Sequence, residues 1–337
     1  MSVREWVPRW WAGEAGLPGQ VLSAALIPAE LLFRAGVSAR HLAYDRGWLE
    51  VERAPVPVVS VGNVGVGGAG KTPVAAWVAA RLRERGRLPA VALRGYGADE
   101  VQVHRELNPD VPVFAAARRI DAAREAAAAG RDVVVLDDGF QHRALARDLD
   151  LVLVSAEGWT ERRRLLPRGP WREDAPALRR AGLVVVTRKS ATAQEAARVA
   201  ARVRAVVRTE VAECWLAPDR LVPVRDGEGG APPAGGPALA VAALADPRPF
   251  AEQLRERGFE VELAAFPDHH GFDAGEAAAL ARRAGERPIL MTHKDAVKLR
   301  TLLPPVAPAW MLTQTVRFTS GAELLERALA HALERDA

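Results

Sequence analysis

The fold of this chain is decided by one stretch of sequence, which reads Val56-Pro57-Val58-Val59-Ser60-Val61-Gly62-Asn63-Val64-Gly65-Val66-Gly67-Gly68-Ala69-Gly70-Lys71-Thr72-Pro73. Its first part, residues 56–61, is a short β-branched run that predicts a strand. Its second part, residues 65–72, matches the pattern G-x-x-x-x-G-K-S/T. The segment 72–85 that follows has the spacing of an amphipathic helix and ends near Gly86. A strand, a glycine-rich loop and a helix in this order predict a phosphate-binding loop, or P-loop.

The residue types of this loop fit nucleotide chemistry. Glycines let the backbone N–H groups turn inward around phosphate groups, because side chains there would block the approach. We expect Lys71 to reach the β- and γ-phosphates and the hydroxyl of Thr72 to bind magnesium. Pro73 suits the first turn of the helix, where its missing N–H is harmless. The loop therefore predicts ATP and Mg²⁺ as cofactors, and the predicted nucleotide-binding residues are Gly65, Val66, Gly67, Gly68, Ala69, Gly70, Lys71 and Thr72.

A second motif follows the apolar run 133–136. Asp137, Asp138 and Gly139 stand where this predicted strand ends, at the edge of the sheet that would face the phosphates. Taken alone, Asp-Asp-Gly is also a common turn. Paired with a P-loop, it predicts that Asp137 and Asp138 organise magnesium together with Thr72.

Strands and helices alternate along most of the chain. Repeated β–α units predict an α/β fold, with a P-loop NTPase-like, doubly wound, mostly parallel sheet. Residues 222–237 are rich in Pro, Gly and charge, which predicts a boundary. We expect an N-terminal segment over 1–50, a kinase-like P-loop core over 51–222 and a smaller C-terminal α/β lobe over 223–337. A helix is predicted over 118–129, and further strands at 90–93, 133–136, 151–154, 183–186, 239–243, 260–264 and 288–291.

Composition narrows the possible partners. The chain has 337 residues, of which 49% are hydrophobic, and its formal charge of +4 fits acidic partners. Its arginines are scattered among acids without a basic stripe, so no nucleic-acid partner is predicted. Cys214 is the single cysteine, which excludes a disulfide within the chain. The only lysines are Lys71, Lys189, Lys294 and Lys298, so a lysine inside a motif is unlikely to result from composition alone.

The N-terminal segment has its own pattern. It is rich in tryptophan, and no stretch has the length of a spanning helix or the form of a secretory signal. One interpretation is an amphipathic helix in the lipid headgroup region, and the other is a helix packed on the sheet of the next domain. Periodicity alone does not separate them. The apolar residues at helical spacing are Leu22, Ala25, Leu26, Ala29, Leu32 and Phe33.

Several stretches, in order along the chain, resemble the tetraacyldisaccharide 4′-kinase family of Gram-negative bacteria. The first are Val61-Gly62-Asn63, which runs into the P-loop, and Leu93-Arg94-Gly95-Tyr96-Gly97. Next come Asp137-Asp138-Gly139-Phe140-Gln141-His142 and Leu165-Leu166-Pro167-Arg168-Gly169-Pro170-Trp171-Arg172-Glu173. The last are Phe266-Pro267-Asp268-His269 and Met291-Thr292-His293-Lys294-Asp295-Ala296-Val297-Lys298.

The resemblance implies an activity and a location. The family transfers the γ-phosphate of ATP to the 4′-hydroxyl of tetraacyldisaccharide 1-phosphate and so forms lipid IVA. It implies a peripheral protein on the cytoplasmic face of the inner membrane, held at the membrane surface by an N-terminal amphipathic helix, with no protein partner predicted. The location has a physical reason, because keeping each methylene of the acyl chains in the bilayer is worth about 0.8 kcal/mol.

The resemblance also implies roles for single residues. The family's catalytic pair maps to Asp99, which would accept the proton of the sugar hydroxyl, and to His269, which would orient Asp99. Glu100 would lie near the metal. Because the segment before Asp99 is shorter than the family pattern and Ala98 replaces a glycine, alternatives stay open. These alternatives are Asp110 and Asp121 for the base and His270 for its partner.

Four further residues are candidates for substrate binding. Gln141 and His142 would face the nucleotide or the sugar phosphate, or else cap their loop. Arg172 and Glu173 would meet the 1-phosphate and the metal region, or else form a surface ion pair. The role of His293-Lys294-Asp295 is left open, because a histidine stands where the family has glutamate.

A different class of function also fits the P-loop. The chain could be a P-loop GTPase or a partitioning-type ATPase that acts with a protein partner. Against a GTPase, the specificity motif Asn-Lys-x-Asp is missing, and Thr292-His293-Lys294-Asp295 has the wrong spacing.

Overall fold

A computed structural model describes residues 3–95, 98–160, 163–207, 209–225, 231–268 and 270–334. The strands of this described part form one eleven-stranded sheet in the order β3-β2-β4-β1-β5-β6-β7-β11-β10-β8-β9. The strands are β1 (Val58–Asn63), β2 (Pro89–Leu93), β3 (Val113–Ala115), β4 (Val133–Asp137), β5 (Leu149–Ser155), β6 (Leu183–Arg188), β7 (Val211–Pro223), β8 (Gly236–Ala243), β9 (Phe259–Phe266), β10 (Ile289–Thr292) and β11 (Ala309–Ser320).

Neighbouring strands pair in parallel throughout the described sheet, except for β7 and β11, which pair antiparallel. The predicted mostly parallel α/β sheet is therefore confirmed. The sequence did not predict β7 and β11, the long strands that join the two halves of the sheet. The first strand also begins two residues later than predicted, at Val58, and a proline that cannot donate a ladder hydrogen bond precedes it.

Helices cover both faces of the sheet. Along β4, Val133 and Val135 belong to the core cluster under helices 71–84 and 322–333, whereas Val134 and Leu136 face the cluster under helix 119–128. This alternation is the period of a strand buried on both sides. The helices of the described residues are α1 (Val3–Trp11), α2 (Gly16–Ala25), α3 (Ile27–Asp45), α4 (Lys71–Glu84), α5 (Ala98–Leu107), α6 (Arg119–Ala128), α7 (Ala193–Arg204), α8 (Arg248–Glu256), α9 (Ala274–Ala284), α10 (His293–Leu299) and α11 (Ala322–Leu333), with a 3-10 helix at Ala175–Arg180.

The two halves of the chain are not separated cleanly in sequence. The predicted boundary at 222/223 falls at the end of β7, and residues 226–230 of the predicted loop lie outside the described residues. Helix α11 returns from the C-terminal lobe to the first half, where Leu325, Leu329 and Ala332 join the core cluster of β1 and α4. The domain limits stay a prediction, with this one helix packed across the boundary.

The N-terminal segment forms three helices where the sequence predicted one amphipathic helix. Gly13 and Gly16 have positive φ angles of 88° and 58°, which end α1 and begin α2. A bend of 51° then separates α2 from α3. In the described chain no single helix has the length and apolar character to cross a membrane, although the bent pair of α2 and α3 together has both. Leu17 and Leu32 are each 75% exposed, whereas Phe33 packs on the core cluster of β5 and β6. The segment therefore buries only part of its apolar side chains, and both interpretations stay predictions.

Candidate active site

The P-loop connects β1 to α4 and depends on glycine at its last turn. Gly70 has a φ of 83°, in the left-handed region, and a Cβ there would lie 2.1 Å from Cδ1 of Leu216. Thr187 of β6 anchors the loop, because its hydroxyl donates a hydrogen bond to the carbonyl of Ala69 at 2.9 Å. Glycine at position 70 therefore allows both the turn and the close packing on β7.

The predicted phosphate and metal residues come together at the ends of β1 and β4. Nζ of Lys71 lies 3.3 Å from Oδ1 of Asn63 and 3.4 Å from Oδ1 of Asp138. The hydroxyl of Thr72 donates to Oδ2 of Asp137 at 2.9 Å. Asp138 has a φ of 54°, unusual for a residue with a side chain, and so turns the chain sharply as β4 ends. The structure thus brings Lys71, Thr72, Asp137 and Asp138 into one group.

The chemistry of this group fits a magnesium ion. Burial alone would raise the pKa of Asp137, but a hydrogen bond from His104 and the charge of Lys71 outweigh burial and lower it, so the carboxylate is ionised. Its Oδ1 is buried and accepts no hydrogen bond from any described residue. Among those residues no set of three His, Cys, Asp or Glu side chains forms a metal cage. Magnesium is commonly held by one or two carboxylates together with substrate phosphates, and Asp137 and Asp138 supply two carboxylates here.

A cavity of about 230 Å³ opens beside the P-loop, between the two halves of the molecule. The P-loop and Glu100 line one side, and Leu244, Phe250 and Lys294 of the C-terminal lobe line the other. A second cavity of about 160 Å³ adjoins it and shares the P-loop glycines as a wall. Clefts between lobes, with apolar walls and a few convergent polar groups, are typical ligand sites.

The candidate base, Asp99, lies in the first turn of α5, and lysines of α10 hold it. Its Oδ2 is 3.1 Å from Nζ of Lys298 and 3.9 Å from Nζ of Lys294. Lys294 also lies 3.5 Å from Glu100 and 4.0 Å from Asp268. The structure therefore gathers these acids around Lys294 at the edge of the interlobe cavity.

The proposed partner of Asp99, His269, lies outside the described residues. Its neighbour His270 faces its own lobe, because its ring lies 2.9 Å from Glu276 and stacks on Phe266 at 5.0 Å. The alternatives to Asp99 also point elsewhere. Asp110 is 64% exposed and pairs with Arg83 at 2.7 Å, and Asp121 lies 3.9 Å from Arg124. Asp99 does not line the interlobe cavity itself but contacts Lys294, which does, whereas neither alternative has such a contact among the described residues.

A basic cavity of about 380 Å³ lies on the other side of Asp138. Arg172 reaches it and lies 3.7 Å from Oδ2 of Asp138. Burial, and then the charges of the surrounding arginines, lower the pKa of His142 to about 4, so its ring is neutral at pH 7. Gln141 donates a hydrogen bond to the carbonyl of Asn63 at 2.7 Å. The charged and polar residues that line the cavity are Arg40, Glu52, Arg94, Arg118, Arg119, Asp138, Gln141, His142 and Arg172.

Glu173 belongs neither to the phosphate and metal residues nor to the basic cavity. Its carboxylate is only 3% exposed and lies 2.9 Å from the ring of His41 and 2.7 Å from Arg180. Burial would raise its pKa, but the hydrogen bond from His41 and the charge of Arg180 lower it. The structure brings Arg172 to the basic cavity and places Glu173 in a buried ion pair, where the alternative interpretation expected a surface pair.

Three residues of the site were missed. Nζ of Lys189, which follows β6, lies 3.0 Å from the point where a Cβ on Gly68 would stand. His104 on α5 contacts Asp137. Glu106, near the end of α5, lies 2.8 Å from His293 and 2.6 Å from Arg300. The sequence held one signal for Lys189: the chain has only four lysines, and all four lie at this site.

The His293-Lys294-Asp295 motif, whose role the sequence left open, joins the two halves. His293 contacts Glu106 of α5, and Lys294 contacts Asp99 and Glu100. Asp295 is fully buried; it accepts a hydrogen bond from Thr292 at 2.7 Å, and burial raises its pKa. Thr292 caps α10 by accepting a hydrogen bond from the backbone N–H of Asp295, and the motif presents His293 and Lys294 to α5.

Comparison with known proteins gives a consistent result. The family model described as tetraacyldisaccharide-1-P 4′-kinase matches residues 22–110 and 99–334. The tetraacyldisaccharide 4′-kinase of Anaeromyxobacter dehalogenans (strain 2CP-C) is 43% identical over 355 residues, which cover 95% of this chain and 93% of that protein. The tetraacyldisaccharide 4′-kinase of Halorhodospira halophila (strain DSM 244 / SL1) is 38% identical over 337 residues, which cover 94% of each chain.

A solved structure agrees with these relatives. The crystal structure of LpxK from Aquifex aeolicus, described as an "apo" form in complex with ATP, superposes with a TM-score of 0.71 at 26% identity. The match covers 93% of this chain and 99% of that chain. The predicted family is confirmed, and the alternative of a GTPase or partitioning ATPase is not favoured. The chain belongs to the tetraacyldisaccharide 4′-kinase family.

Proposed function

We propose that this chain uses ATP to phosphorylate the 4′-hydroxyl of tetraacyldisaccharide 1-phosphate, which gives lipid IVA in lipid A biosynthesis. Membership of the family supports this reaction, and the P-loop supports ATP as the phosphoryl donor. One observation carries the assignment to this site: Asp138 stands between Lys71 of the P-loop and Arg172 of the basic cavity. A single carboxylate thus separates the phosphate-binding loop from a cavity suited to an anionic sugar.

Asp99 is the proposed base. The 4′-oxygen of the sugar forms a bond to the γ-phosphorus of ATP and loses its proton. The bond between the γ-phosphorus and the oxygen that bridges it to the β-phosphate breaks, which releases ADP. The carboxylate of Asp99 takes the proton, while Lys71 neutralises negative charge on the phosphates. Lys298, 3.1 Å from Asp99, keeps the carboxylate in place. His269 is proposed to orient Asp99, as the resemblance implies.

Thr72, Asp137 and Asp138 are the proposed residues for magnesium. When bound, the ion neutralises charge on the transferred phosphate. The free Oδ1 of Asp137 supports this role, because a buried carboxylate oxygen without a hydrogen bond has strong unsatisfied acceptor capacity. Glu100 lines the same cavity, and its role beside the metal stays a prediction.

The basic cavity is the proposed subsite for the sugar and its 1-phosphate. Arginines favour phosphate groups because the guanidinium can donate two parallel hydrogen bonds. Arg119 already donates to the carbonyl of Asp138 at 2.9 Å and so connects this cavity to the metal carboxylates. His142, neutral at pH 7, offers a hydrogen-bonding group without adding charge. Gln141, Arg172 and His142 are therefore kept as substrate-binding candidates.

The N-terminal helices are proposed to lie on the cytoplasmic face of the inner membrane. Their inward side combines the polar side chains of Ser23 and Glu30 with Phe33, which packs on the core. Glu30 is buried and accepts hydrogen bonds from the backbone of Leu165 at 2.8 Å and from Arg168 at 2.9 Å. Ser23 is buried and accepts a hydrogen bond from Arg164 at 3.0 Å. These bonds, together with the packing of Phe33, fix α2 and α3 on the core.

On the outward side, α2 and the first turns of α3 expose several apolar side chains. A contiguous apolar surface is unfavourable in water and marks an interaction site. Lipid is the occupant that suits an enzyme whose substrate is acylated, since the acyl chains then stay in the bilayer. The exposed apolar residues are Leu17, Val21, Ile27, Leu31 and Leu32.

The reaction can be tested with γ-labelled ATP and tetraacyldisaccharide 1-phosphate in detergent micelles. We expect the wild type to give a labelled bis-phosphorylated lipid and Lys71→Ala to lose activity by about 10²-fold or more. Release of labelled phosphate by the wild type, whether or not lipid is present, would contradict lipid phosphorylation and favour a nucleotide hydrolase.

A second pair of variants tests the basic cavity. Arg172→Gln should raise KM for the lipid by about tenfold while KM for ATP stays constant, because one charged hydrogen bond to phosphate is worth about 1.5–3 kcal/mol. Arg179→Gln is the matched control, since Arg179 is an exposed residue that bonds to the carbonyl of Val206 away from this cavity. Equal KM values in the two variants would remove Arg172 from the substrate subsite.

A further inference from the structure

His104 is a buried histidine in direct contact with the metal-organising carboxylate. Its side chain has no exposed surface, and its Nε2 lies 3.0 Å from Oδ2 of Asp137. A carboxylate has no proton to give, so the imidazole N–H donates. The same Oδ2 accepts the hydroxyl of Thr72 at 2.9 Å. Two donors thus occupy one oxygen of Asp137 and leave Oδ1 without a hydrogen bond among the described residues.

The position of His104 on α5 gives this contact a second consequence. Glu100 precedes it by one helical turn, and Asp99 is the next residue toward the helix start. The hydrogen bond therefore ties the helix that carries the candidate base to the end of β4, which carries the carboxylates. Two residues after His104, Glu106 pairs with Arg300. His104 adds a directed hydrogen bond to the apolar packing of Val101 and Val103, which also holds α5 on this half of the molecule.

We infer that His104 is a positioning residue, which holds the Asp137 carboxylate so that its free oxygen is available to magnesium. The inference rests on the proposed function. A carboxylate can rotate about two side-chain torsions, and a donor from a buried ring removes that freedom. Partners in the second coordination shell of a metal typically change its affinity by about 10–100-fold. A merely structural role would change stability and leave metal affinity unchanged.

The test compares three variants at position 104. The side chain of His104→Gln is long enough to bring an N–H donor to Asp137. The side chain of His104→Asn has a donor but is too short to reach, and His104→Leu has no donor. Mn²⁺ binding in the presence of ADP, followed by electron paramagnetic resonance, reports metal affinity without any lipid substrate. We expect the Kd for Mn²⁺ to rise about tenfold in His104→Leu and His104→Asn and to stay within about threefold of the wild type in His104→Gln.

The control variant removes a similar contact between a histidine and a buried carboxylate, at a place outside the nucleotide site. His41 also contacts a buried carboxylate, that of Glu173 at 2.9 Å, outside the nucleotide site. His41→Asn should lower the melting temperature and leave the Kd for Mn²⁺ at the wild-type value. If His104→Leu does not fold, the comparison of His104→Asn with His104→Gln decides.

The outcomes separate this inference from the proposed function. Wild-type Mn²⁺ affinity in folded His104→Asn, or equal losses in the Asn and Gln variants, would overturn the positioning role. The half-saturating Mg²⁺ concentration for lipid phosphorylation should rise in parallel with the Kd for Mn²⁺. If the wild type fails to phosphorylate the lipid while the Mn²⁺ pattern holds, the proposed reaction fails and the role of His104 stands.

Discussion

The guanidinium of Arg300, just after α10, lies 2.6 Å from the carboxylate of Glu106 on α5. This contact joins the C-terminal lobe to the helix that carries the candidate base. Burial would raise the pKa of Glu106, but hydrogen bonds from Arg300, Gln102 and His293 outweigh it and lower the pKa to about 2 from 4.5. The folded protein therefore favours the charged form of the Glu106 carboxylate more strongly than the unfolded chain does.

The pH dependence of stability follows from that shift. A lowered pKa stabilises the fold above pH 4.5, and the contribution is lost as the pH falls from 4.5 through about 2. At 1.36 kcal/mol for each pKa unit the upper limit is about 3 kcal/mol, and screening by solvent reduces it to about 1–2 kcal/mol. Glu106→Gln should thus lower the free energy of unfolding near pH 7 and match the wild type near pH 2, as measured by urea unfolding. Glu84→Gln, at an exposed pair with Arg81, should show no such difference.

Gly70 provides a prediction about the P-loop itself. Gly70→Ala must adopt a positive φ and also place its Cβ 2.1 Å from Cδ1 of Leu216. Gly67→Ala must adopt a positive φ of 121° but meets no atom within 4 Å. Strain at positive φ costs about 1–3 kcal/mol, and overpacking adds about 1–3 kcal/mol. Urea unfolding should show the larger loss for Gly70→Ala, and equal losses would mean that Leu216 moves aside freely.

The sequence predicted the parts of the fold that local patterns determine. The apolar runs at 133–136 and 183–186 became β4 and β6, and the P-loop stands between β1 and α4. β7 and β11 were missed because their burial alternates irregularly and each is completed by its antiparallel partner, which lies far away in sequence. Local patterns also could not show that α11 packs on the first half.

The site was predictable to a similar extent. Lys71, Thr72, Asp137 and Asp138 belong to two motifs whose chemistry fixes their place. His104 was missed because a histidine among the apolar residues of α5 has no motif around it, and only the contact with Asp137 identifies it. Glu173 could not be placed, since a charged residue beside Arg172 gives no sign that its side chain turns into the core.

The apolar surface of α2 and α3 leads to a prediction about membrane binding. Leu32 is 75% exposed, so Leu32→Glu should not change stability but should weaken binding to vesicles of anionic phospholipid. Removing one leucine from lipid is worth about 1.5–3 kcal/mol, so the partition coefficient should fall by at least about tenfold. Leu88→Glu, at a 52% exposed position before β2, is the matched control in a vesicle flotation assay. Equal partitioning of both variants would contradict the proposed orientation.

Asp99 is the assignment that most needs a kinetic test. Asp99→Asn keeps the shape of the side chain but removes the basic oxygen, so kcat should fall by about 10²–10⁴-fold with KM for ATP nearly unchanged. Asp110→Asn, at an exposed pair with Arg83, should retain wild-type kcat. A third variant, Lys298→Met, separates proton transfer from charge pairing, because it removes the contact at 3.1 Å and leaves the carboxylate. If Asp99 is the base, Lys298→Met loses less activity than Asp99→Asn; equal losses would mean that Asp99 acts only by holding Lys298, and therefore α10, against α5.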